Sequence, residues 1–131
     1  MLNDILGTDK IKKFQANEDD INDIQLFIKT YKNDQEFMNE ILSSFIDEVS
    51  ERMGNLETAV SQKDAKAIAY AAHKFIAIFS SVYIDSASKI SHELQNAARS
   101  NDIPLCENLF NDLQNKMFEI ISYIQSVMVE I

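Results

Sequence analysis

Two histidines, one cysteine and several serines are the residues of this chain that could act as nucleophiles or metal ligands. His73 lies in the stretch Tyr70-Ala-Ala-His-Lys-Phe-Ile-Ala-Ile-Phe-Ser-Ser81, among small and apolar residues. A neutral imidazole carries its proton on one ring nitrogen and a lone pair on the other, and that lone pair can attack an activated phosphorus. His73 is therefore a candidate nucleophile, metal ligand or core residue.

Metal and thiol chemistry receive little support from the spacing of these residues. Metal sites in helical bundles need several inward ligands, commonly Glu-x-x-His pairs on facing helices. Neither His73 nor His92 has a glutamate three residues earlier, because Tyr70 and Lys89 occupy those positions. Cys106 falls on an apolar stripe and is interpreted as a packed thiol. No glycine-rich phosphate loop is present. We expect no metal site and no cofactor.

Composition limits the class of protein. The chain has 131 residues, a formal charge of −9, a pI near 4.6 and only two Gly and one Pro. This length favours a single domain over residues 1–131, and the scarcity of turn formers favours an all-α fold. The negative charge disfavours nucleic acid and anionic membranes as partners. With one Cys, no signal peptide and no membrane-spanning stretch, we expect a reduced, cytoplasmic monomer.

Apolar residues recur at intervals of three and four through most of the chain, which predicts amphipathic helices. A short helical segment is expected from Leu2 to about Phe14, and a helix that ends near Tyr31 follows a cap at residues 17–20. Four longer helices are expected: from a cap at 33 or 34 to about 61–63, from 64 to about 82, from a turn near 83–85 to about 98, and from about 104 to 127. They predict an antiparallel up-down four-helix bundle, with its core at about 34–130 and one or two short extra helices at the N-terminus.

Helical geometry places His73 at the side of its helix. The apolar stripe of that helix is interpreted as Ala65, Ala69, Ala72, Ile76 and Phe79, and His73 lies roughly 110° from its centre. Phe75 and Val82 are expected to extend this buried stripe on the side away from His73. The residues expected on the same side as His73 are Lys66, Tyr70, Ala77 and Ser80. Small neighbours would allow a partner protein to bring a phosphorylated side chain to the ring. From spacing alone, a half-buried or exposed helix histidine without chemistry is the favoured interpretation.

The stretch Ala71-Ala-His-Lys-Phe-Ile-Ala-Ile-Phe-Ser-Ser-Val-Tyr-Ile-Asp-Ser-Ala-Ser-Lys-Ile-Ser-His-Glu-Leu94, followed by Ala97-Ala-Arg-Ser-Asn-Asp102, resembles the histidine phosphotransfer (HPt) domains of multistep two-component signalling. Family members usually read Ala-His-x-Leu-Lys-Gly-Ser, then a glycine-alanine pair, two spaced leucines and a Gly-Asp turn. The matching positions here are Ala72, His73, Phe75, Ile90, Leu94 and Asn101-Asp102. The likeness covers about Ile21 to Ile124.

This resemblance implies a four-helix bundle with an exposed phosphoacceptor, His73. The group would come from an aspartyl phosphate of a response-regulator receiver domain and pass to another receiver, in a phosphorelay that starts at a hybrid sensor histidine kinase. Such domains have no kinase or phosphatase activity of their own. Mg²⁺ is expected on the receiver, which supplies most of the catalytic groups.

The chain departs from the family pattern close to the histidine. The usual Lys three residues after the histidine is Ile76, the following Gly is Ala77, and the glycine-alanine pair is Tyr83-Ile84. Lys66 lies roughly 10 Å from His73 along the helix axis, and Lys74 projects about 100° around it. The residues expected to surround the phosphate or to contact a receiver are Lys66, Tyr70, Lys74, Ile76, Ala77 and Ser80.

Two further interpretations stay open. A degenerate relative would bind receiver or kinase domains without accepting phosphate, and a purely structural helical module would bind neither.

His92 is expected to be a solvated surface residue, about 155° from the apolar stripe of its helix. Met1 and the lack of a linker favour a free-standing protein.

Overall fold

The structure, a computed structural model, describes residues 21–130, and all five of its helices agree with the predicted pattern. Residues 21–30 are helical and are called α1. The bundle helices are α2 (Gln35–Ser61), α3 (Ala65–Ser81), α4 (Asp85–Arg99) and α5 (Ile103–Glu130). The short segment predicted from Leu2 to Phe14 lies outside the described residues.

The four long helices form a closed ring of neighbours. α3 packs against α2 and α4, and α5 packs against α4 and α2. Because three-residue connections reverse the chain between successive helices, each helix is antiparallel to the next. The predicted up-down four-helix bundle is confirmed. α1 adds Ile24 and Phe27, both buried, to the same core.

The three connections between the bundle helices share one backbone conformation. Each contains a residue with positive φ: Lys63 at 55°, Tyr83 at 67° and Asn101 at 57°. In each, the next N–H donates to a carbonyl five residues earlier, which closes the helix C-terminus in a Schellman-type motif. Left-handed backbone favours glycine. Tyr83 and Asn101 thus occupy the two turn positions at which the HPt domains that this chain resembles usually have glycine.

Aspartates begin most of the helices. The side chains of Asp34, Asp64 and Asp102 accept hydrogen bonds from backbone N–H groups at the starts of α2, α3 and α5. α4 has Ile84 at this position, which offers no side-chain acceptor. Asp23 on α1 takes that role, since its Oδ2 accepts from the N–H of Asp85 at 3.3 Å. α1 is thereby attached to the start of α4.

The buried face of α3 differs from the predicted one. The buried residues are Ile68, Ala72, Phe75, Ile78 and Phe79, whereas Ala65, Ala69 and Ile76 are only partly buried. Ala72, Phe75 and Phe79 are buried as predicted, but the predicted centre of the stripe was wrong. Most residues of α3 are apolar or alanine, so periodicity defines its inward direction poorly. Packing between α2 and α4 turns the Phe75 side inward, where the ring stacks on Phe79 at 5.3 Å between centroids. His73 therefore faces further outward than expected.

Candidate functional site

His73 is exposed on the outer face of α3, and one of its ring nitrogens is held by a residue of α4. The side-chain amide nitrogen of Gln95 lies 3.2 Å from Nδ1 of His73. Gln95 is 7% exposed, so its position is determined by packing. Among the described residues, Nε2 of the imidazole has no hydrogen-bond partner. Nε2 is therefore the ring nitrogen available to a reacting group.

An amide is well suited to orient this imidazole in both of its neutral forms. With the amide as placed, N–H of Gln95 donates to an unprotonated Nδ1. With the amide turned over, its oxygen accepts from Nδ1–H, and Nε2 then carries the lone pair. In both orientations the Gln95 side chain keeps its bond to Nδ1. Nε2 can therefore be the nucleophile without loss of the contact that orients the ring.

Gln95 was missed in the sequence analysis, although its position carried a signal. It is a polar residue in the buried stripe of α4, which also contains Ser91, Leu94 and Ala98. A polar side chain buried in this way requires a hydrogen-bond partner. Ser91 finds one within its own helix, the carbonyl of Ala87 at 2.9 Å. Gln95 finds its partner 22 residues away, on the neighbouring helix.

Most of the predicted surrounding residues share the outer surface of α3 with His73. Lys66, Tyr70, Ala77 and Ser80 are exposed, and Tyr70 reaches 67%. Ile76 is partly buried. The hydroxyl of Ser80 donates to the carbonyl of Ile76 at 2.9 Å, so it is satisfied within α3. This surface combines one imidazole with small, apolar and aromatic groups.

The side chain of Lys74 is engaged with Tyr70, one turn earlier on α3. Its ammonium group lies 5.0 Å from the centroid of the Tyr70 ring, a cation–π contact along α3. The two side chains line a crevice between α2 and α3, on the other flank of the histidine. Lys74 is therefore poorly placed to replace the lysine that the resembling family has at position 76.

A second cation, also missed in the sequence analysis, lies one turn after Gln95 on α4. Arg99 is exposed in the last turn of α4, four residues after Gln95. Residues four apart lie on the same helix face, about 6 Å along the axis. Because Gln95 faces His73, Arg99 belongs to the same α3-facing edge of α4.

The other chemistry-bearing residues are placed as predicted. Cys106 is fully buried, and this burial, with the nearby negative charge of Asp102, raises the pKa of its thiol. His92 is exposed. Within residues 21–130, no three His, Cys, Asp or Glu side chains are grouped closely enough to hold a metal ion. Over the same range, no helix has the length and apolar character needed to cross a membrane.

Comparison with known proteins agrees with this arrangement. A family model described as the Hpt domain matches residues 40–123, which include His73, Gln95 and Arg99. The fold is similar to histidine-containing phosphotransfer protein B from Pseudomonas aeruginosa PAO1, with a TM-score of 0.74 and 17% identity over 82% of this chain and 93% of that one.

A second solved structure has the same bundle. The HPT domain of the Hpt sensor hybrid histidine kinase from Shewanella is similar with a TM-score of 0.69 and 16% identity, again over 82% of this chain and 93% of that one. No curated protein matches the chain. At these identities the structural likeness concerns the fold, and the family match rests on the sequence of residues 40–123.

Proposed function

The chain belongs to the Hpt domain family, and from that premise we propose that it is a phosphocarrier whose His73 accepts a phosphoryl group from a receiver-domain aspartyl phosphate and passes it to another receiver. The observation that carries this proposal is the exposed imidazole with Nδ1 bonded to Gln95 and Nε2 open to a partner. Kinase and phosphatase chemistry would belong to the partner proteins, and Mg²⁺ to the receiver.

The transfer step needs little from this chain beyond position and charge. The Nε2 lone pair attacks phosphorus as the P–O bond to the aspartate breaks, and the electrons of that bond leave with the carboxylate. The proton on Nδ1 stays in contact with the amide oxygen of Gln95. Phosphoryl transfer passes through a loose transition state, so orientation and electrostatic stabilisation supply most of the catalysis.

The electrostatics of α3 support this role. The chain carries 21 acidic and 12 basic residues, and six of the acidic ones lie on α2. α3 contains none, although it is 17 residues long. A phosphoryl group of roughly −2 charge on His73 therefore meets no carboxylate from its own helix. Arg99 on α4 supplies a positive charge on the Gln95 side, where Ile76 supplies none.

The second candidate is a module that binds receiver or hybrid kinase domains without accepting phosphate. It is favoured by the presence of Ile76 at the position where the family usually has a lysine. The apolar side chain removes the charge-assisted contact that a lysine would make with the phosphoryl oxygens. The surface around His73 would still suit a docked domain. The two candidates differ only in whether His73 becomes phosphorylated.

One experiment separates them. The chain is incubated with radiolabelled, phosphorylated receiver domains from the same genome, and label is sought that is acid-labile and base-stable. We expect such label in the wild type and in His92→Gln, and none in His73→Gln. Receiver binding without label would favour the second candidate. Label that persists in His73→Gln would show that another residue is the acceptor.

A further inference from the structure

A basic crevice opens between α2 and α3 on the flank of His73. It is lined by Arg52, Asn55, Tyr70, Ala71 and Lys74 and has a volume of about 50 Å³. This space holds a few water molecules or one carboxylate group. Two cations, an amide and a phenol ring surround it. Its lining suits an anionic side chain.

Both cations of the crevice are held in place before any partner arrives. Lys74 lies over the ring of Tyr70, at 5.0 Å from its centroid. Arg52 is bonded through Nε to Glu48, one turn earlier on α2, at 3.3 Å. Among the described residues, Glu48 is the ion-pair partner of Arg52. Because this pair uses Nε, the two Nη groups of the guanidinium can bind a second carboxylate. Pre-positioned donors lose less side-chain entropy on binding.

The crevice lies next to His73, within the area that a docked protein would cover. Tyr70 lies three residues before His73 in the chain, and Lys74 is the residue directly after it. A protein docked over His73 covers about 800 Å² of this chain if its interface has the standard size. Such a footprint includes the mouth of the crevice. A receiver that presents its aspartyl phosphate to His73 therefore also places part of its surface against Arg52 and Lys74.

Charge complementarity selects the kind of side chain that enters. The chain has a net charge of −9, so an acidic partner surface is repelled over most of it. The exception is the surface formed by α3 and this crevice, because α3 contains no carboxylate and none lines the crevice, although Glu48 is paired with Arg52. We propose that the crevice receives an aspartate or glutamate side chain of the docked receiver domain, as a second anchor beside His73 that selects among receivers.

This proposal rests on the proposed function for the identity of the partner, but its test measures binding alone. Each receiver domain of the same genome is titrated against the chain in a His73→Gln background, where no phosphoryl transfer can interfere. For the receiver that binds, Arg52→Gln and Lys74→Gln are each expected to raise Kd about fivefold, the usual size for a half-exposed charge pair. Both variants are also expected to weaken the dependence of Kd on salt.

Lys89→Gln is the matched control, because it removes one positive charge from the exposed surface of α4. We expect it to leave Kd within twofold of the parent. Exposed Asp and Glu residues of the receiver are then changed one by one to Asn or Gln. One of these changes should raise Kd for the parent chain and have no further effect on the Arg52→Gln, Lys74→Gln double variant.

These binding measurements separate failure of the crevice proposal from failure of the proposed phosphotransfer function. Equal Kd values for the parent and both crevice variants would overturn this inference, and so would a Lys89→Gln effect as large as theirs. A receiver that binds through the crevice while wild-type His73 stays unlabelled would overturn the proposed function and uphold the anchor. Circular dichroism confirms that each variant retains its helices.

Discussion

Gln95 on α4 holds the imidazole of His73 on α3, with 3.2 Å between the amide nitrogen and Nδ1. The contact joins a residue that is almost fully buried to one that is exposed. Orientation of this imidazole thus depends on the packing of α4 against α3. Loss of the Gln95–His73 hydrogen bond should therefore change the reactivity of His73 more than it changes the stability of the fold.

Gln95→Leu is expected to slow phosphoryl transfer to His73 about fivefold, because one hydrogen bond of about 1 kcal/mol no longer orients the ring. Single-turnover transfer from a phosphorylated receiver measures the rate. Nitrogen NMR of the imidazole should show a changed tautomer ratio at the same time. A slower rate with an unchanged tautomer ratio would assign Gln95 a purely structural role.

Ile76→Lys is expected to shift the phosphoryl equilibrium toward His73. A lysine three residues after the histidine can make a charge-assisted contact with the phosphoryl oxygens, and about 1 kcal/mol at this half-exposed position corresponds to about fivefold. The distribution of label between receiver and chain gives the equilibrium constant. Ile76→Met is the control for changed packing, and an equal shift in that variant would contradict the electrostatic explanation.

Arg99→Gln is expected to move the same equilibrium in the opposite direction, by about threefold to fivefold, since it removes the cation on the α4 edge of the site. Lys89→Gln, with the same loss of charge elsewhere on α4, should have a smaller effect. In the Ile76→Lys background the Arg99 effect should shrink, because the introduced lysine already compensates the phosphoryl charge. Independent, additive effects would argue against a shared role.

Gly54→Ala is expected to raise the free energy of unfolding by about 1 kcal/mol. Gly54 is an exposed residue within α2, and a Cβ atom added there meets nothing within 4 Å. Chemical denaturation measures the change, and Glu57→Ala on the same helix should stay within about 0.5 kcal/mol of the wild type. A destabilised Gly54→Ala would mean that close contact with another part of the chain requires the glycine.

Cys106 is expected to resist thiol reagents at pH 8 and to react once the chain is unfolded. Burial raises the pKa of its thiol above the ordinary 9.0, so the reactive thiolate is scarce in the folded state. The associated stability is fully present below pH 9.0 and is lost as the pH rises through the folded-state value. Cys106→Ala should flatten this part of the stability profile. Rapid modification of the folded chain at pH 8 would contradict the expectation.

Local sequence determined the secondary structure of this protein. Capping by Asp34, Asp64 and Asp102 and the spacing of apolar residues depend on neighbours within one or two turns, and the helices begin and end where these signals lie. The bundle follows because four amphipathic helices joined by three-residue turns have few other ways to bury their apolar faces. His73 was predicted as the phosphoacceptor because the sequence around it resembles the Hpt family, and that role stays a prediction.

Tertiary packing decided the rest. The inward face of α3 depends on contact with α2 and α4, and sequence periodicity gave the wrong centre for its buried stripe. Asp23 caps a helix whose first residue lies 62 positions later, and Gln95 orients a histidine 22 positions earlier. Arg52 and Lys74 share a crevice only because α2 and α3 pack side by side. Pairings of this kind depend on how separate helices are rotated against one another, which the side-chain pattern of any single helix does not specify.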